Sequence, residues 1–414
     1  MSTRRWICFL GLLLLSFLLI CACADGPKDP SAGLDATGQP SGTAPDPDHE
    51  HVYEKDESLS TPILTVSVCS CGDVRSELFV QPIIKDDYSP NWNASWNKKV
   101  LPWEEIREGG RYDDVYIGKE AFGETWMYHN YTFPELLGTN LYTDTQLEML
   151  ASSMQQRSDW CEENGMTFYF LICPSKTVIY PEYLPDGMGL KPAEQNRFDQ
   201  VVGYLAEHTT VRVIDGRKGI LAAKEAEPDR LLYYPLDSHW NENGGYAEYV
   251  QVMNEFRKDY PNIVLHEIDE YRIDSFESYF KDNTYYMGWY DTFKTSGPVY
   301  TLKDGKIGRC TWAGRKTLGG QFDQAYLERG GFSDGTLNAK FVNEYQPDAP
   351  SVYVINDSFF IAMTRFFRDS FSSFSRHWTN DFSCSDILAE HPNIVLYQVI
   401  EDTLSDAFKQ APLG

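Results

Sequence analysis

The run Thr167-Phe-Tyr-Phe-Leu-Ile-Cys173 constrains the fold more than any other stretch of this chain. It is apolar at nearly every position, with no alternation of apolar and polar residues. A strand of that kind is buried on both faces, which places it inside a parallel sheet covered by helices on either side. The surrounding sequence repeats the pattern. The spacing of Leu147, Leu150, Ala151, Met154 and Trp160 predicts a helix over 144–165, begun by Asp144 and ended by Gly165. Further helices are expected over 193–207, 219–225, 246–258 and 359–368, and strands over 211–215, 351–356 and 394–399. Strands alternating with helices predict an α/β doubly wound, mainly parallel sheet of the flavodoxin-like kind, with ligands at the carboxyl ends of the strands. Ahead of this body, 63–68 reads as a first strand and 114–129 as an alternating β segment with a Gly turn. The stretch 261–348 differs: rich in Tyr, Gly and Asp, with short β runs such as 297–302, it reads as an irregular, partly β insertion.

The N-terminus reads as an address. Arg4-Arg5 precede an apolar run from Trp6 to Ala22, and the chain then turns acidic and rich in Pro and Gly. Residues 1–23 are expected to be a signal peptide with a lipobox-like end, Ile20-Cys21-Ala22-Cys23, in which Cys23 would be lipidated; the alternative is an uncleaved membrane anchor. Residues 24–62 have no apolar period and are expected to form a disordered acidic tether. Residues 63–414 are expected to form the folded domain. Either form of the N-terminus holds that domain outside the cytoplasm at a membrane.

The formal net charge of −25 argues against nucleic acid as a partner, because phosphate backbones need clustered Lys and Arg. The 26 tyrosines and 10 tryptophans supply faces that suit sugars, although most such rings belong to the core. Of the nine cysteines, Cys8 and Cys21 leave with the signal and Cys23 carries lipid. Cys69, Cys71, Cys161, Cys173, Cys310 and Cys384 remain, an even number that permits three disulfides without fixing their pairing, or buried thiols. No metal-ligand spacing is present, and no metal or cofactor is expected.

The chemistry centres on Leu236-Asp237-Ser238-His239-Trp240. On a loop, a carboxylate two residues before an imidazole can fix the ring's tautomer and stabilise its protonated form. The alternative is a turn with a surface histidine. Ser358, in Asn356-Asp357-Ser358-Phe359, stands where a strand meets a helix. There its own amide and the next one can face a developing oxyanion. The alternative is a helix N-cap serine, with Asp357 as turn or cap chemistry.

Asn356-Asp357-Ser358-Phe359 resembles the nucleophile block of SGNH hydrolases. The Asp-x-His pair ahead of the serine resembles the order found in the alginate O-acetyltransferase-like branch and in the family named for its Asp-His-His-Trp (DHHW) motif. Four other stretches resemble blocks of that branch in the same order: Tyr116-Ile-Gly-Lys-Glu-Ala-Phe with Trp126-Met-Tyr, Cys173-Pro-Ser-Lys176 with Ile179-Tyr-Pro-Glu-Tyr-Leu-Pro185, Pro392-Asn-Ile-Val-Leu-Tyr, and Glu401. Two positions depart from the pattern: Asn356 stands in place of the block's Gly, and Ser238 in place of the motif's middle His.

The resemblance implies an extracytoplasmic O-acetyltransferase acting on a secreted or cell-wall polysaccharide through an acetyl-Ser intermediate. Ser358 would be the nucleophile, His239 the general base and Asp237 the group that orients it. A membrane-bound O-acyltransferase as acetyl donor is implied in the same way. The alternatives are a carbohydrate acetylesterase and a non-catalytic polysaccharide-binding or assembly lipoprotein. Arg365 reads as a residue that binds an acyl or sugar oxygen, or as a solvated helix residue. Lys176 reads as shaping the site mouth, or as one half of a structural ion pair.

Overall fold

The computed structural model describes residues 52–55, 64–70, 74–78, 111–112, 115–185, 188, 190–278, 281–286, 294–313 and 338–408. The signal and lipidation site at Cys23 and most of the expected tether lie outside the described residues, as does Cys71. In chain order the elements are β1 (Tyr53–Lys55), β2 (Leu64–Cys69), β3 (Val74–Leu78), β4 (Arg111–Tyr112), β5 (Val115–Ala121), β6 (Glu124–His129), α1 (Phe133–Leu137), α2 (Asp144–Glu163), β7 (Thr167–Cys173), α3 (Lys176–Ile179), α4 (Arg197–His208), β8 (Arg212–Asp215), α5 (Arg217–Ala226) and α6 (Glu242–Asp259). There follow β9 (Tyr271–Ser278), α7 (Asp282–Tyr286), β10 (Thr295–Leu302), β11 (Arg309–Ala313), β12 (Ala339–Val342), β13 (Ser351–Asn356), α8 (Thr364–Ser370), β14 (Ser373–Trp378), α9 (Cys384–Glu390) and β15 (Ile394–Ile400).

The central sheet has seven strands in the order β11-β12-β14-β13-β15-β7-β8. From β14 to β8 every pairing is parallel; β12 and β11 add an antiparallel edge. The fold is therefore the α/β, mainly parallel architecture expected. The apolar run of β7 lies between β15 and β8. Its alternate residues feed two separate cores, Tyr169, Leu171 and Cys173 on one face and Phe168, Phe170 and Ile172 on the other. The first face packs on α6 and α8 through residues such as Tyr249, Phe256, Phe366 and Phe367. The second packs on α2 and α4 through Leu150, Met154, Phe198 and Val201. A strand with no polar face is the direct consequence of this double cover.

Local sequence sets the helix ends. Thr143 and Gln146 form a capping box at the start of α2, and Asn196 and Asp199 form another at α4. Gly165, at φ +73°, turns the chain out of α2 in a conformation that side chains rarely adopt. Helix α6 begins at Glu242 rather than at residue 246, because the Asn241 side chain accepts from the Asn243 and Gly244 amides and caps it. The Asn- and Gly-rich stretch 241–245 is thus the cap and first turn of the helix. A Cβ on Gly245 would stand 2.5 Å from the Ala362 carbonyl, so glycine there lets α6 approach the segment that follows Ser358.

The described residues of the insertion bear out its partly β reading and add its pairing: β9 and β10 form an antiparallel ribbon, while β12 joins the edge of β14 and β11 joins β12, extending the central sheet. Two sequence expectations need correction. Tyr53–Lys55, inside the expected tether, pairs antiparallel with β2, so the folded chain starts before residue 63. Cys161, Cys173 and Cys384 are thiols, so the three-disulfide pattern that the count permits does not form. Cys161 and Cys173 are buried small side chains of the core. Among the described residues, no helix is long and apolar enough to cross a membrane.

Candidate active site

The carboxyl ends of β7 and β13 frame the site. β7 leads to β8 on one side, β13 leads to β14 on the other, and β15 fills the place between them. Connections that part in this way leave a crevice at the strand ends, the usual ligand position in such sheets.

The Asp-x-His segment crosses this crevice as a closed loop. Asn241 N donates to the Leu232 carbonyl at 2.9 Å and Tyr234 N to the His239 carbonyl at 3.1 Å, with a bridge between Tyr233 and Trp240. The loop is pinned to strand β6 by Met127 N on the Pro235 carbonyl at 2.9 Å. Trp240 Nε1 donates to the Phe359 carbonyl at 2.7 Å, which joins the loop to the turn after β13.

That junction brings the three residues singled out in the sequence into one hydrogen-bonded chain. His239 Nε2 lies 2.7 Å from Ser358 Oγ, and His239 Nδ1 lies 2.6 Å from Asp237 Oδ1. Asp237 is buried, whereas the His239 side chain keeps 19% of its surface exposed, enough for a ligand to reach the Ser358 side. The same Asp237 oxygen accepts the His239 amide at 2.9 Å, so carboxylate and imidazole are fixed in one turn. The Phe359 ring packs against the imidazole with 4.9 Å between centroids.

Asp357 caps the turn at Ser358, in line with its reading as turn or cap chemistry: its Oδ1 accepts the Phe359 amide at 2.9 Å, so Ser358 is not the N-cap. The same bond commits the Phe359 amide, which is therefore not an oxyanion donor, and the segment Ser358–Met363 is 3-10 rather than α. Asp357 is itself held by Gln398 Nε2 at 2.8 Å and by the Ile400 amide at 2.6 Å. Burial raises its carboxyl and these donors pull it back, leaving it above the usual range.

Arg365 is neither solvated nor free for a ligand. It is buried, paired with Glu242 at 2.8 Å, and donates to the Tyr300 carbonyl at 3.0 Å. Lys176 is not part of an ion pair at the mouth. It is buried with Nζ on the carbonyls of Tyr234, Pro235 and Asp237, at 3.2, 3.0 and 2.5 Å, beneath the Asp-x-His loop. Glu401, from the closing block, accepts both the amide and the hydroxyl of Ser175 at 2.7 Å.

One residue of the site escaped the sequence reading. The amide of Asp282, in the insertion, donates to Asp237 Oδ2 at 2.7 Å, and its carboxylate accepts the Ser238 amide at 3.2 Å. No local motif marks Asp282; only the fold brings it there. Asp237, His239 and Asp282 also present ligand atoms within 4.8 Å of one another, as a metal site would. Here Asp237 and His239 spend those atoms on each other, the use a proton relay makes of them.

The charges are strongly coupled. Burial disfavours the charged His239 ring, but Asp237 overrides this, with Asp282 and Asp357 adding to it, and the imidazole is raised to about 9. Burial likewise opposes ionisation of Asp237, and His239 with its hydrogen bonds reverses that, so the carboxyl lies below its ordinary value. Asp282 is raised to about 7 by burial and by the negative charge of Asp237. A separate cleft of about 800 Å³ lies beside Tyr233, Tyr234 and Pro235, lined by Arg230, Asp274 and Pro298 among others; neither His239 nor Ser358 lines it.

This fold and this site define an SGNH-hydrolase-like α/β protein. The family model described as "SGNH hydrolase-like domain, acetyltransferase AlgX" matches residues 123–277. It covers Asp237 and His239 and ends before Ser358. The motifs and this match point the same way: residues 123–277 are similar to an SGNH-hydrolase-like acetyltransferase domain, on an SGNH-like α/β fold. No curated protein matches. Among solved structures, Bacillus cereus PatB1 with a sulfonyl adduct is similar at 19% identity and a TM-score of 0.50, covering 69% of this chain and 97% of that one. A DHHW family protein from Eubacterium siraeum has 16% identity, TM-score 0.48 and coverage of 73% and 94%. The O-acetyltransferase domain of Pseudomonas putida AlgJ has 12% identity, TM-score 0.42 and coverage of 72% and 94%.

The electrostatics predict the titration of His239. By NMR its imidazole should titrate near pH 9, and in Asp237→Asn clearly lower, since burial is then opposed only by the charges of Asp282 and Asp357. A midpoint near 6.5 that ignores Asp237→Asn would contradict this account of the pair.

Proposed function

We propose that the protein is an O-acetyltransferase that modifies a secreted or cell-wall polysaccharide through an acetyl-Ser intermediate on Ser358. The observation that carries the reading is the unbroken hydrogen-bonded chain from Ser358 through His239 to Asp237 at the strand ends. The family match to an acetyltransferase domain supports the acyl group transferred.

In this reading Ser358 Oγ attacks the carbonyl carbon of an acetyl donor while its proton passes to His239 Nε2. The donor's leaving group departs with that proton, and acetyl-Ser358 remains. A sugar hydroxyl then attacks the acetyl carbon, gives its proton to His239, and leaves carrying the acetyl group as Ser358 is restored. Asp237 stays ionised throughout and stabilises the imidazolium. Water in place of the sugar would make the same site an acetylesterase. The resemblance supports a membrane-bound O-acyltransferase as the donor, and the Arg-led apolar N-terminus ending at Cys23 supports an extracytoplasmic lipoprotein.

With p-nitrophenyl acetate as donor and candidate oligosaccharides as acceptors, the protein should release the phenol and leave acetyl on sugar. Ser358→Ala and His239→Ala should each lower kcat on the order of 10⁴-fold or more, and Asp237→Ala less, since members of such a set act as a unit. Because Asp357 is the cap, Ser358→Ala should keep the melting temperature close to that of the parent. Phenol release without acetylated sugar would identify an esterase, and turnover unchanged in Ser358→Ala would leave the site without its nucleophile.

Export has its own test. Cys23→Ala should release the protein from the membrane fraction or block signal removal. Membrane retention of an uncut chain in both forms would mark an uncleaved anchor instead.

A further inference from the structure

Two further charged groups touch the Asp-x-His loop, the buried Lys176 and the half-buried Asp282. Lys176 stands at the start of α3, just past β7, with its ammonium beneath the loop. It reaches three carbonyls of the turn, those of Tyr234, Pro235 and Asp237. The faces of Trp126 and Tyr128 lie 5.6 and 5.0 Å from Nζ. Carbonyls that converge on one point repel each other, and a buried turn of this shape needs a donor at its centre. An ammonium with three donors fits that need, whereas a planar guanidinium does not.

Asp282 acts from the other side. Its amide holds the Asp237 oxygen that His239 does not use, and its carboxylate receives the Ser238 amide, with the Ser238 hydroxyl 3.4 Å away. Ser238 stands between the two residues of the pair, so this contact fixes the peptide that joins them. The next residue, Asn283, is buried and donates from Nδ2 to the Met127 carbonyl at 3.1 Å, which anchors Asp282 to β6. The loop is thus clamped by a cation below and a carboxylate beside it.

We propose that Lys176 and Asp282 are positioning residues: Lys176 sets the path of the Asp-x-His loop, and Asp282 fixes the Asp237 carboxylate while adding a second negative charge to the His239 environment. This rests on the proposed role of the Ser358, His239 and Asp237 set. The ionisable groups that face His239 are Asp237 from its own loop, Asp282 from α7 and Asp357 from the turn after β13, with Lys176 behind Asp237. Burial draws the Lys176 ammonium down to about 7 while Asp237 and Asp282 support it, and Asp282 is raised to about 7, so Lys176 is charged below neutral pH and Asp282 above it.

Two variants of the whole protein test this, read by NMR titration of His239 and by p-nitrophenyl acetate turnover. Asp282→Asn keeps the shape, the backbone donor and an oxygen for the Ser238 amide, and removes only charge. Its His239 midpoint should fall on the order of one pH unit, and the acid limb of kcat/KM should move down with it. Lys176→Met removes the donor at the centre of the turn. On the alkaline plateau its kcat should fall on the order of 10²-fold with KM little changed, and its His239 midpoint should also fall as Asp237 loosens.

A midpoint and kcat/KM profile in Asp282→Asn that match the parent would overturn the proposal, even if Lys176→Met does not fold. So would a folded Lys176→Met with parental kcat. The readings separate because the His239 titration needs no turnover: activity that survives Ser358→Ala sinks the nucleophile, while a midpoint unmoved in Asp282→Asn sinks the clamp.

Discussion

The bond from Trp240 Nε1 to the Phe359 carbonyl, 2.7 Å long, joins segments 119 residues apart and sets everything else at the site. Directly beside it His239 reaches Ser358 across the same separation. Neither segment can make these contacts alone. The β13 turn is held by the parallel sheet, and the Asp-x-His loop is held by strand β6 and the capped start of α6. The close approach at Gly245 brings α6 against the residues that follow Ser358, so helix packing and site geometry are one constraint.

Burial is what gives these groups unusual properties. Asp237 and Lys176 are nearly closed off from water, and Asp282 is half-buried. In such a place each charge persists only through its neighbours. Asp237 stays ionised because an imidazole and two backbone amides face it; the protonated form of His239 is stabilised by that carboxylate and by Asp282 and Asp357 once the ring has taken a proton. The site is thus built to stabilise an imidazolium, the species that forms when a serine hydroxyl surrenders its proton.

Much of this was legible in the sequence, for definite reasons. The two-faced apolar run of β7 carried the parallel sheet, because full burial leaves no polar face to write into the pattern. Ser358 stood out because it follows a strand, and Asp237 and His239 because the pair has a short, readable spacing. The losses have a common cause. Asp282 is invisible locally, since its partners lie 44 and 45 residues away. Lys176 and Arg365 looked like surface charges because sequence shows charge but not the carbonyls or the Glu242 that bury them. The short β runs of the insertion showed strand character but not partners, and the place of β11 and β12 is decided by the edge of β14. The commitment of the Phe359 amide turns on one side-chain orientation, which no pattern of residue types encodes.

The account stands on Ser358 as the atom that bonds the acyl group. Incubation with an acetyl donor, rapid acid quench and peptide mapping by mass spectrometry reads this directly. The account predicts one added acetyl group on the peptide containing Ser358, absent in Ser358→Ala. Acetyl carried by a different residue, or the same labelling in Ser358→Ala, would contradict it.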